Sequence, residues 1–133
     1  MEQTLSPQIS NFLTLLEQAQ KEFVWSQQEV VRLEQLTQDY LHMLELQTSN
    51  YHERAKVAAA IRHCRINRRL HKDNATILAP LVNFIESEKG KVIISQLQQT
   101  LGAVRKAERY VQDRRYNPRV MSPEDYENKH LVS

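Results

Sequence analysis

An all-α fold, a helical bundle with a long N-terminal coiled-coil-like helix, is predicted by three features of this sequence. Only two glycines, Gly90 and Gly102, and four prolines, Pro7, Pro80, Pro118 and Pro123, punctuate 133 residues. A sheet protein of that length needs many more turn residues. Gln, Leu, Glu, Arg and Ala are abundant, and all of them favour helix. Apolar residues recur at heptad spacing through the first part of the chain. Hydrophobic residues at 41% and charged residues at 26% are ordinary for a folded chain and argue against global disorder, so one helical domain over residues 1–133 is expected.

The first element is an acidic heptad helix over about 7–48. Ser6-Pro7 offers a capping hydroxyl followed by a ring already set at helical φ. Ile9, Leu16, Phe23 and Val30 recur every seven residues, and Leu44 rejoins them after Thr37 interrupts the row. Phe12, Ala19, Ser26, Leu33 and Tyr40 form a second row three positions later. Two such rows over about five heptads make a coiled-coil seam. An unbroken helix of this length would run roughly 60 Å at 1.5 Å per residue, too far for a compact small domain to cover. A seam over Ile9, Phe12, Leu16, Phe23, Val30, Leu33 and Tyr40 is therefore expected to pair with another helix or another copy, and a homodimer is expected. Leu13, Leu15, Val24, Trp25, Val31, Leu36 and Leu41 widen the stripe, as in a helix with two neighbours.

Thr48-Ser49-Asn50 is the first break, with Asn50 placed to cap the second helix. A basic helical region is expected over 51–120 and a tail over 121–133. Within it, a helix over about 51–73 is left with Ile61, Ile66 and Leu70 to anchor it to a core. Asp73 or Asn74 is placed to cap a new helix carrying Ile77, Leu78, Leu81, Val82, Phe84 and Ile85, and a kinked continuation is the alternative. Gly90 is expected to close that helix in a left-handed conformation. A last helix from about Lys91 to Arg115 has Ile93 or Ile94, Leu97, Leu101, Val104, Tyr110 and Val111 as its stripe. Asn117-Pro118 should end it, and Ser122-Pro123-Glu124-Asp125 suggests a short capped turn.

The formal net charge of +2 hides a division. Residues 1–53 hold eight acids against Lys21 and Arg32, whereas residues 54–119 hold fifteen Lys and Arg against five acids. Arg62, Arg65, Arg69 and Lys72 fall three or four apart and share one helical face, with Arg68 flanking it. Arg105, Lys106 and Arg109 begin a second basic stretch near Tyr110 and Tyr116. Such faces suit phosphates or an acidic partner. Equally, they could neutralise the acidic first helix, so both readings stay open. The Tyr/Arg-rich end, Tyr110, Tyr116, Pro118, Arg119 and Val120, could anchor an interface or fold back on the bundle.

Other chemistry finds little support. His52, His63, Cys64 and His71 match no zinc spacing, and cations surround them. Two glycines provide no phosphate-cradling loop, and no Ser–His–acid set or shielded carboxylate pair stands out. No catalytic residue, metal or cofactor is expected, and the chain is read as a non-enzyme. One cysteine, Cys64, fits a reducing compartment and a small core position. No membrane span or signal segment is legible, so an intracellular protein without membrane contact is expected.

Arg68-Arg69-Leu70-His71-Lys72-Asp73, Pro80-Leu81-Val82-Asn83-Phe84-Ile85, Leu101-Gly102-Ala103-Val104-Arg105-Lys106-Ala107-Glu108-Arg109-Tyr110 and Arg115-Tyr116-Asn117-Pro118-Arg119-Val120 cover the second half of the chain. This set resembles small uncharacterised proteins of phages and prophages of Gram-positive bacteria. The resemblance implies a mobile-element setting in a bacterial cytoplasm and brings no assigned activity. A protein partner of host or phage origin is the expectation, as for a nuclease or defence-system inhibitor. The alternative is a nucleic-acid-binding accessory protein using the arginine-rich helix.

Overall fold

The structure is a computed structural model that describes residues 5–47, 50–115, 120, 122 and 124. Its elements are three helices: α1 (Leu5–Leu46), α2 (Tyr51–Glu86) and α3 (Glu88–Asp113). No strand occurs among the described residues. The tail expectations at Tyr116, Asn117-Pro118, Arg119 and Pro123 lie outside them.

α1 and α2 form a long antiparallel hairpin. Glu34 meets Arg68, Ser26 meets Asn74 and Trp25 meets His71, so the two helices advance in opposite senses. The heptad seam faces inward. Leu16, Ala19, Ser26 and Leu33 are buried, while Ile9, Phe23, Val30, Thr37, Tyr40 and Leu44 are half-buried. The helix that covers the seam belongs to the same chain, while Leu15, Val24, Trp25, Val31 and Leu41 of the widened stripe stay exposed. Within the seam, Phe12 is the exception at 49% exposure. The hairpin pairs extrapolate to place the end of α2 near residue 14 of α1, so the first turns of α1 project past α2.

Asn50 caps α2 as expected: its Oδ1 accepts from the Glu53 N–H at 2.9 Å, satisfying one of the free donors of the first turn. Ser6, expected as the cap of α1, lies inside the helix instead. Its N–H donates to Glu108 Oε2 at 3.2 Å, so a carboxylate from α3 serves the positive end of α1.

The helix start expected at Asp73 or Asn74 is absent, because α2 runs unbroken through it to Glu86 with Pro80 inside. Asn74 turns its amide across the interface rather than onto its own backbone. Nδ2 donates to Ser26 Oγ at 2.9 Å and to Glu22 Oε1 at 3.0 Å. Ser26 is fully buried, so this bond satisfies a hydroxyl that would be costly to leave alone. Ala19 and Ser26 are the small members of the buried seam.

The joint between α2 and α3 also differs from expectation. Gly90 has no positive φ and lies within α3. Ser87 is the break: its extended backbone ends α2, and its Oγ accepts from the Gly90 N–H at 3.0 Å to cap α3. Gly90 is there for space. A Cβ on it would lie 1.8 Å from the carbonyl oxygen of Phe84. α3 then runs antiparallel to the first turns of α1, with Ile94, Leu97, Leu101, Val104 and Glu108 as its inward row. Ile93, Tyr110 and Val111 point away from it and are exposed.

Candidate functional site

The basic face of α2 is assembled as its spacing predicts. Arg62, Arg65, Arg69 and Lys72 are exposed, and Arg68 is half-buried on the side nearer α1. Among the described residues the acidic helix neutralises only Arg68. Its Nε donates to Glu34 Oε1 at 2.8 Å, and its Nη2 reaches the same oxygen. A second ion pair lies within α1, where Arg32 donates to Glu29 Oε2 from Nε at 3.0 Å and Nη2 at 2.8 Å. Those hydrogen bonds hold the Glu29 carboxyl below its ordinary pKa. Internal neutralisation of the basic half, one of the two readings open from sequence, therefore applies to one cation of the five between 62 and 72.

An open groove of about 510 Å³ runs between the two helices at this face. Glu34, Gln35, Thr37, Gln38 and Leu41 line it from α1, and Arg65, Arg68 and Arg69 from α2. Thr37 Oγ1 donates back to the Leu33 carbonyl at 2.7 Å, which takes its hydroxyl out of the groove's hydrogen-bonding set. The groove is left with two unpaired guanidiniums, two amides, one leucine and one carboxylate already engaged.

The second basic stretch does not join the first. Arg68 sits at Glu34 of α1, whereas Glu108 of α3 sits at Ser6. Those two positions on α1 lie roughly 42 Å apart at 1.5 Å per residue. Arg105, Lys106 and Arg109 are exposed at the far end of the molecule. The eight expected binding cations thus form two separate patches.

The group of His52, His63, Cys64 and His71 disperses. Cys64 is buried, His71 packs edge-on to Trp25 with ring centroids 4.8 Å apart, and His63 lies 3.1 Å from the Asn67 amide. Among the described residues no three His, Cys, Asp or Glu side chains are grouped to hold a metal. No helix among them is long and apolar enough to cross a membrane.

Sequence reasoning missed one feature of this face. Ile66 and Leu70, expected to anchor α2 to a core, are instead 44% and 61% exposed, and Ile77 and Phe84 are 76% and 41% exposed. The anchors are Val57, Cys64, Val82 and Ile85. The sequence does carry the signal, because 70, 77 and 84 keep heptad steps of their own. It reads as core because an apolar residue on a helix is usually covered. No family model matches this chain, and neither a curated protein nor a solved structure matches it.

Proposed function

We propose that this chain is a non-enzymatic interaction protein that binds an acidic surface of a protein partner through the exposed basic face of α2. The observation that carries this reading is the composition of the groove. Arg65 and Arg69 stand unpaired beside Gln35, Gln38 and Leu41, with Glu34 among them. Glu34 is already paired with Arg68, and amides, a leucine and two free guanidiniums together suit a protein surface. Tyr110, the exposed tyrosine of the second basic stretch, lies in the distant patch of α3 and not on this face. The setting, a phage or prophage protein acting on a host or phage protein such as a nuclease or defence factor, rests on the resemblance of the second half of the chain.

Fluorescence-anisotropy titration with short DNA and RNA tests the competing class. Four phosphate-bound cations, Arg62, Arg65, Arg69 and Lys72, would give a slope of log affinity on log salt of about −3.6 on duplex DNA. The expected result is no binding that survives physiological salt. Affinity capture from infected and uninfected Gram-positive lysates should then retain a protein that the R65E/R69E double variant loses while keeping the parent's helical signal and melting point. Tight, salt-sensitive nucleic-acid binding abolished by the same variant would replace this reading with the nucleic-acid one.

A further inference from the structure

The outer side of α2 carries an apolar row that nothing in the described structure covers. Ile66, Leu70, Ile77 and Phe84 are separated by four, seven and seven residues, and Asp73 and Pro80 occupy the intervening heptad positions. All six are exposed. At 1.5 Å per residue the row spans roughly 27 Å along one side of the helix. Arg62 and Arg69 lie immediately beside it, at the positions that flank a coiled-coil seam, and Arg65 and Lys72 stand one step further out.

We propose that this row docks an acidic amphipathic helix of the partner protein. The proposal rests on the reading that α2 is the binding surface and names what that surface takes. The partner's apolar residues would lie along Ile66, Leu70, Ile77 and Phe84, and its carboxylates would meet Arg62 and Arg69. A row of that length matches a helix of about five turns. Asp73 sits in the middle of the row, so a partner lysine or arginine opposite it would fix register and direction.

Charge selects this occupant over a second copy of the chain. Two α2 rows paired in parallel would oppose Arg62, Arg65, Arg69 and Lys72 to themselves. Paired antiparallel about the centre of the row, Arg65, Arg69 and Lys72 would face residues 78–85, which hold no acid, and only Arg62 would come near Glu86 and Glu88. α1 of a second copy fits no better. Its outward valines, Val24 and Val31, are ringed by Gln27, Gln28, Gln35 and Arg32 rather than by acids. Three of its central acids are already engaged within the chain: Glu22 by Asn74, Glu29 by Arg32 and Glu34 by Arg68. Charge and patterning together therefore favour an acid-flanked apolar helix from another protein.

Selection of displayed peptides of about five helical turns on the full-length chain at physiological salt tests the proposal. The enriched sequences should carry apolar residues at three- and four-residue steps with acids alongside. A synthetic peptide from that set should bind at least about tenfold more weakly to L70D/I77D and to R62E/R69E, since 1.4 kcal/mol of lost contact is a factor of ten. Exchanging the peptide's acids for lysine should restore binding to R62E/R69E. Leu70 and Ile77 are exposed, so the hairpin should survive their replacement, and L70Q/I77Q provides a milder pair for the same measurement. Failure to enrich any peptide, or enrichment of peptides indifferent to both pairs at Leu70 and Ile77, overturns the proposal. So does a parent that sediments as a dimer and is dissociated by L70D/I77D. Peptides that lose affinity to R65E/R69E but not to L70D/I77D would leave the basic-face reading standing and remove only the helix row; peptides indifferent to all of these variants would remove both.

Discussion

α2 carries apolar residues on two opposite sides, and the two sides meet different fates. Val57, Cys64, Val82 and Ile85 are buried within the fold, whereas Ile66, Leu70, Ile77 and Phe84 stand in solvent. The inner row meets a helix whose seam includes the small residues Ala19 and Ser26, and Asn74 bridges to Ser26 at the contact. The outer row is bordered by arginines that form no ion pair among the described residues. Periodicity decides which residues share a side of a helix; whether that side is covered depends on what the rest of the chain presents to it. Substitutions on the two sides should therefore differ in size by several-fold.

The largest effect is expected from Leu33→Ala. Leu33 is 3% exposed at the centre of the hairpin, and truncating a buried leucine costs about 2–5 kcal/mol through lost burial and the cavity left behind. Urea unfolding followed by circular dichroism should show the midpoint fall at an unchanged slope. A loss below about 1 kcal/mol would mean that the seam is looser than the described packing. Next comes Gly90→Ala. The added carbon would meet the Phe84 carbonyl, which is backbone and can move only with the end of α2, so a loss of about 1–3 kcal/mol is expected. The other glycine reverses the sign. Nothing lies within 4 Å of a Cβ on Gly102, and alanine is the better helix former there, so Gly102→Ala should stabilise by about 0.5–1 kcal/mol. Thermal melts of the two glycine variants side by side would separate crowding from backbone entropy.

Much of this fold is legible in the sequence because helices declare themselves locally. The row from Ile9 to Leu44, the cap at Asn50 and the basic spacing of Arg62, Arg65, Arg69 and Lys72 each depend on neighbours a few residues away. The features that escape a sequence reading depend on contacts distant along the chain. Asn74 has the chemistry of a cap and serves as a bridge because Ser26 and Glu22 lie across from it. Gly90 has the chemistry of a helix terminator and serves as a gap because the end of α2 passes beside it. The split between Arg69 and Arg105 requires knowing that α3 docks at the opposite end of α1. Ile66 and Leu70 read as core because the sequence shows that they are apolar but not that Cys64 and Val57 already fill that role.

The smallest effect is the most discriminating. Ile77 is the most exposed member of the outer row at 76%, and glutamine is a slightly better helix former than isoleucine. If the row is bare in the free protein, Ile77→Gln should leave stability within about 0.5 kcal/mol of the parent, as for an ordinary surface site. Contact with a second copy would make both the melting temperature of the parent and the cost of the substitution rise with protein concentration, because association stabilises by mass action. Melting parent and variant at two widely separated concentrations therefore reads the coverage of the row directly. Coincident curves for all four samples mean an apolar side that no second copy covers, which leaves the proposed foreign helix as the occupant to be tested.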